Sequence, residues 1–422
     1  MLVSLSIENW LCFRDRQEFS LETVGRVPDE FAFDTHTPRY PRLNRVAAVY
    51  GPNGSGKSCF VEALSFVRDF VIESAKGAQA GDGIGVDAFR FDLQSFTRPA
   101  SFEIAFIRSG TVYEFAFSAD VDRVWEEWLF VRPPGGRLQR WFSRSFDPVS
   151  ERYEWSFGPS LRGPREMWRR ATRPDALYVS TAVQFNSESL RPIVDWFRDL
   201  TVIDSDGISP EHTSDRLRTQ PEFRARLIEF LGLADIPFSD IRVGEQEIDL
   251  DEVPADLREI ILDRLKDADN PKIPIPEFGL PVAGSDTLGY LDFDELSDGT
   301  RRVYSLAATW LDVIEHGRTI VVDELECSLH PHLLRFLTGL INRPGRMGTQ
   351  RAQLVVTMHD TVLLRDGLDR NQVWLTEKGA DQAAWLTPLS SYRPRKNESL
   401  LNGYLGGRYG GVPNVAESEL VE

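Results

Sequence analysis

One octapeptide constrains this chain more than any other feature. Gly51-Pro52-Asn53-Gly54-Ser55-Gly56-Lys57-Ser58 has the spacing G-x-x-x-x-G-K-S. Before it lies the short apolar run RVAAVY, residues 45–50, consistent with a buried strand. After it, Phe60, Leu64, Val67 and Val71 recur at spacings of three and four, one face of a helix. A glycine-rich turn between such a strand and such a helix directs backbone N–H groups inward, at the positive end of the helix. That arrangement cradles phosphate. Asn53, Gly54, Ser55, Gly56, Lys57 and Ser58 are the expected nucleotide-binding residues. Lys57 is expected on the β- and γ-phosphates and Ser58 on Mg²⁺. Cys59 reads as a packing residue of the helix.

A second apolar strand, Thr319-Ile320-Val321-Val322, ends in Asp323-Glu324. Two adjacent buried carboxylates need a cation or hydrogen bonds to compensate them. Beside a phosphate loop, Asp323 fits a Mg²⁺ ligand and Glu324 the base that orients and polarises an attacking water. The plainer alternative is a strand-end turn. His359 ends a third apolar strand, LVVTMH, and fits a γ-phosphate contact. His330 and His332 flank Pro331 and read as a helix start rather than a metal pair.

Composition removes other classes. The chain has 422 residues, 48 basic and 65 acidic, with a net charge of −17. No run of about 18 apolar residues exists, so no membrane span or membrane partner is expected. MLVSLSIENW lacks the basic start of a secretion signal. Cys12, Cys59 and Cys327 are far apart and form no CxxC pair, against a disulfide framework or a cysteine zinc site. A cytoplasmic protein is expected.

Strand-like stretches are expected at 3–7, 18–21, 102–117 (a hairpin around Ser109-Gly110) and 124–131, and helical ones within 186–270. From residue 286 strand and helix alternate, as in a largely parallel α/β sheet. Three segments follow. Residues 1–185 form an N-terminal lobe with the phosphate loop, 186–285 a helical insertion, and 286–422 a C-terminal lobe. About 85 residues of proline-broken helix reach only ~40–50 Å as two antiparallel arms. With no sustained heptad, a long coiled coil is excluded.

Leu296-Ser297-Asp298-Gly299-Thr300 opens a helix between the phosphate loop and Asp323-Glu324. That order resembles ABC-type ATPases, with Ser328-Leu329-His330-Pro331 similar to their D-loop and His359 to their switch histidine. The resemblance implies an α/β ABC-type P-loop head with a mixed sheet. It implies ATP and Mg²⁺ as ligands, ATP hydrolysis, and a homodimer or higher homo-oligomer. In such a dimer Ser297 and Gly299 of one copy meet ATP held by the other. The opening IENWLCFRD resembles the I-x-N-F-x-S-F-x-D start of the SMC, RecF and OLD-type group. It departs at Leu11, where a basic residue is usual; Arg14 is a stand-in. Gln94 reads as an ordinary strand-end residue rather than a glutamine loop.

DELSDGTRR, VVDELECSLHP, TMHD and YLGGRYGGVPN resemble the small phage-defence ATPases of the RloA/AbiL kind. That resemblance implies a sensor or regulator of a separate effector protein, for example a nuclease, in anti-phage defence. The alternative is a RecF/SMC-like DNA repair or maintenance ATPase. The tail, residues 404–414, is either a partner or dimer contact or a mobile terminus. Residues 132–173 hold ten arginines, no lysine and four acids, interleaved with Trp141, Trp155 and Trp168. Such a stretch suits nucleic acid, an acidic protein partner, or this chain's own excess acids.

Overall fold

The computed structural model describes residues 1–76, 83–205, 207–247, 272–343, 345, 351–395 and 398–413. They form two compact units. The first holds Met1–Asp206, Val313–Glu326 and Leu334–Glu422; the second holds Gly207–Asp312 and Cys327–Leu333.

Two sheets build the first unit. One has seven antiparallel strands, edge to edge Arg152–Phe157, Gln139–Asp147, Val124–Arg132, Thr111–Ala119, Ala100–Arg108, Leu2–Glu8 and Gln17–Ser20. The expected hairpin is its centre. Ser109 and Gly110 both take positive φ (50° and 76°), as a two-residue primed turn requires. The other sheet orders Leu200–Ile203, Thr319–Val322, Gln353–Met358, Val46–Tyr50, Val373–Lys378 and Ala384–Pro388. Its first five strands are parallel and the last is antiparallel.

The helix Lys57–Glu73 buries Phe60, Leu64, Val67 and Val71, the face its spacing marks out. Aromatic rings fill the space beside it. Trp10 stacks on Phe66 at 4.8 Å between centroids, and Phe106 on Trp196 at 4.2 Å. Each such ring removed from water stabilises the fold by roughly 2–3 kcal/mol. Gln353, fully buried, joins the two sheets. Its Nε2 donates to Leu2 O (3.0 Å), and its Oε1 accepts from Leu2 N (2.7 Å) and Thr319 Oγ1 (3.1 Å).

Two helices lie where the amphipathic stretches between 186 and 270 place them, Arg191–Asp199 and Pro221–Leu233, and a further helix, Glu211–Thr219, lies between them. The strand Leu200–Ile203 interrupts them and Asp240–Glu247 follows them, so the stretch is mixed rather than helical throughout. The amphipathic PADLREIILDRL, residues 254–265, lies outside the described residues. In the second unit Asp240–Glu247, Lys272–Pro281 and Leu288–Asp292 form a three-stranded antiparallel sheet.

The arginine-rich stretch also differs from a loose basic surface. It contains two strands of the seven-stranded sheet and the helix Arg165–Ala171. Arg144 is buried against Glu127 at 2.9 Å, Arg165 donates to Gly158 O (3.0 Å), Arg169 pairs with Glu166 (2.8 Å) and Arg173 with Asp175 (2.9 Å). Arg137, Arg140, Arg152, Arg162 and Arg170 stay exposed, without an ion pair among the described residues. The glycine-rich tail is anchored through residue 411. Tyr409 is fully buried, Tyr404 OH donates to Gly411 O (2.8 Å) and Gly411 N to Glu377 Oε1 (2.8 Å).

Candidate functional site

The strand Val46–Tyr50 is buried at all five positions and has a parallel neighbour on each side. Its C-terminal end delivers Gly51 to the edge of the parallel sheet, where α/β folds bind ligands. A Cβ on Gly51 would lie 2.5 Å from Thr376 O and 2.6 Å from Ser55 Oγ, so no larger residue fits. Gly56 has φ +110°, and a Cβ there would lie 2.8 Å from Cys12 Sγ. Lys57 is buried, and its Nζ donates to Gly51 O (2.9 Å) and Pro52 O (3.1 Å). Burial lowers the pKa of its ammonium, and the carboxylates of Glu324, Asp323 and Glu326 oppose that shift. Ser55 Oγ is buried with no hydrogen-bond partner among the described residues, while Asn53, Gly54 and Ser58 face solvent. Cys59 is half-buried. A hydrogen bond from the Cys12 thiol lowers its pKa.

Thr319–Val322 is wholly buried and reaches the same sheet edge, one strand removed from the loop strand. Asp323 is 3% exposed and accepts a hydrogen bond from Thr357 Oγ1. The same hydroxyl accepts the Glu324 N–H at 2.9 Å. Glu324 takes φ +48°, a reversal that buries Leu325 and leaves the Glu324 side chain 42% exposed. His359, just past Gln353–Met358, places Nε2 3.8 Å from Glu324 Oε1. Lys57, Ser58, Asp323, Glu324 and His359 thus belong to one edge of one sheet.

Ser297 and Gly299 belong to the second unit. Ser297 Oγ accepts Thr300 N (3.3 Å) at the start of the helix Asp298–His316. A Cβ on Gly299 would lie 3.0 Å from Ser328 O, so the signature-like and D-loop-like residues touch. Pro331 opens the helix Pro331–Asn342, as expected. The rings of His330 and His332 stack at 5.3 Å.

Sequence reasoning missed two residues. Thr357 binds both Asp323 and Glu324; its signal was a lone hydroxyl inside the apolar run LVVTM. Glu326, the third acid of DELE, accepts the backbone N–H groups of His359 and Asp360. Two other readings are corrected. Gln94 is no strand end: it sits exposed in a short helix, Leu93–Phe96, started by the Asp92 side chain. Arg14 is held by Asp15 and Asp381, both at 2.9 Å, rather than free to replace a base at Leu11. Asn9 fastens that segment, its Nδ2 donating to Ser95 O and Arg98 O, both at 2.8 Å.

Comparison with known proteins bears on this geometry. The family described as "AAA domain, putative AbiEii toxin, Type IV TA system" matches residues 46–365, from the loop strand to beyond His359. The chain belongs to this AAA-domain family. No curated protein matches it. Among solved structures, the SMC head domain from Thermotoga maritima is similar over 92% of this chain and 98% of its own, at 14% identity and TM-score 0.41. The recombination mediator protein RecF-ATPrS of the RecFOR pathway is similar over 92% of this chain and 98% of its own, at 11% identity and TM-score 0.30. Both likenesses are loose.

The fold is an α/β head with a mixed sheet and a phosphate-loop turn between strand and helix, and membership of an AAA-domain family implies nucleotide binding. The residues present fit that ligand. The exposed loop, the unpartnered Ser55 hydroxyl and the Lys57 ammonium offer donors to phosphate. Ser58 and Asp323 offer oxygen donors only, the set a hard divalent cation takes. Among the described residues no helix is long and apolar enough to cross a membrane.

Proposed function

We propose that this chain binds and hydrolyses ATP, dimerises around it, and through that cycle regulates a separate effector in anti-phage defence. One observation carries the enzymatic part. Glu324 stands at the sheet edge that carries Lys57, its backbone fixed by Thr357 and its carboxylate 3.8 Å from His359. In this reading Asn53 to Ser58 hold the phosphates, Lys57 moves from the loop carbonyls to the β- and γ-oxygens, and Glu324 polarises the attacking water. His359 lies near the γ-phosphate. Mg²⁺, held by Ser58 and Asp323, neutralises phosphate charge when bound. Ser297 and Gly299 of a second copy complete the site, by resemblance to ABC-type ATPases. The defence role rests on the family's toxin–antitoxin description and on the motif resemblance.

Native complexes captured with and without ATP test the regulatory part. One protein recovered in fixed proportion only with ATP supports an effector partner; identical recoveries in both states contradict it.

DNA maintenance is the second reading, favoured by the exposed arginines at 137, 140, 152, 162 and 170, which have no ion pair among the described residues. Changing Arg137, Arg140, Arg152 and Arg170 to Glu is expected to weaken duplex binding strongly at low salt. The salt slope should become shallower by about one unit for each phosphate that is no longer neutralised. Arg165 and Arg169 make poor targets, because internal partners already hold them. Binding that is absent or insensitive to salt in the unaltered chain sinks this reading.

A further inference from the structure

Asp323 and His359 end neighbouring parallel strands, and two side chains tie those ends together. One is Thr357, through Asp323 and the Glu324 N–H. The other is Glu326. Its Oε1 accepts the N–H of His359 and, at 3.4 Å, that of Asp360, the two residues that turn the chain after Gln353–Met358. Its Oε2 is buried without a partner among the described residues. Burial raises the Glu326 pKa, and the His359 amide first among its neighbours opposes the shift. Leu325, fully buried between them, holds Glu324 and Glu326 on either side of one anchored residue. The backbone of His359 is therefore pinned by the same short turn that presents Glu324.

We infer that Glu326 is a positioning residue: by accepting the His359 and Asp360 amides it sets the imidazole of His359 against Glu324. The inference rests on the proposed hydrolysis, in which His359 meets the γ-phosphate. Glu326 touches no phosphate itself. What it supplies is an acceptor for two amides, so an amide oxygen in its place does the same work and an alanine does not. A misplaced group near the reacting atoms lowers turnover by up to about 10²-fold without a matching loss of ground-state binding.

The test compares Glu326→Ala and Glu326→Gln with the unaltered chain, in ATP affinity, in turnover and in the NMR signal of the His359 ring. Glu326→Ala is expected to keep its ATP affinity, lose up to about 10²-fold in kcat and shift the His359 resonance. Glu326→Gln is expected to restore most of the turnover and the original resonance. Should the alanine variant not fold, Glu326→Asp, which pulls the acceptor back by one methylene, takes its place with the same expected losses. An unmoved resonance with unchanged kcat in Glu326→Ala overturns the inference. So does a Gln variant as impaired as the Ala variant, since charge would then be the requirement. The ring signal needs no hydrolysis. If the unaltered chain binds no ATP, the proposed function fails, while the resonance still decides whether Glu326 sets His359.

Discussion

Glu324→Gln is expected to leave ATP binding intact and to lower turnover by about 10²–10⁴-fold, the range associated with loss of a general base. The amide matches the carboxylate in shape but cannot take a proton or polarise water as a charged group does. The backbone around it should not move. The Glu324 N–H is held by Thr357 Oγ1, the chain reverses at φ +48°, and Leu325 is buried beneath. Equilibrium ATP binding and phosphate release, measured on the same preparation, separate the two effects. The variant should also accumulate in the ATP-bound dimer, visible by sedimentation, because closure is retained and hydrolysis is not. Normal phosphate release from Glu324→Gln would move the base elsewhere at this sheet edge.

The largest stability effect is expected in the seven-stranded sheet, at Glu127 and Arg144. Both are essentially inaccessible to water and their charged groups lie 2.9 Å apart. Glu127 also accepts Tyr178 N (2.7 Å) and Val179 N (3.1 Å), supplying the cap that the helix Tyr178–Gln184 lacks at Leu177. Arg144 Nη2 donates to Ala176 O at 2.5 Å, and its guanidinium lies over Tyr153 and Trp155. Burial pushes the Glu127 carboxyl up, and Arg144 with the two helix amides pulls it back down. Removing either partner strands a buried charge, so Glu127→Ala or Arg144→Ala should each destabilise by about 3–5 kcal/mol. Urea unfolding should show a lower midpoint with an unchanged slope. A loss below about 1 kcal/mol would mean that the remaining charge finds water, against the burial described.

That pair also explains what the sequence concealed. The strand Gln139–Asp147 (QRWFSRSFD) alternates, but one of its inward positions is Arg144, satisfied by a glutamate 17 positions earlier in the chain. Composition left the segment open between an outside partner and this chain's own acids, and only cross-strand register reveals Glu127 as the partner of Arg144. The phosphate loop and Asp323-Glu324 were legible because their signals are local: a strand, a turn of small residues, a helix face, a pair of acids after an apolar run. His359 needed the order of three strands as well. Thr357 and Glu326 were not legible, because their partners lie 34 and 33 residues away. Asn9 shows the same limit: its neighbours in the motif are visible in the sequence, but the loop it fastens is not.

Every step proposed for this chain depends on ATP being held by Gly51 to Ser58, with Lys57. Titrating the purified chain and Lys57→Ala with ATP and Mg²⁺ tests it most directly. Saturable binding, one ATP per protomer, is expected in the unaltered chain and none in Lys57→Ala. Equal binding by both proteins, or none by the unaltered chain, would contradict it.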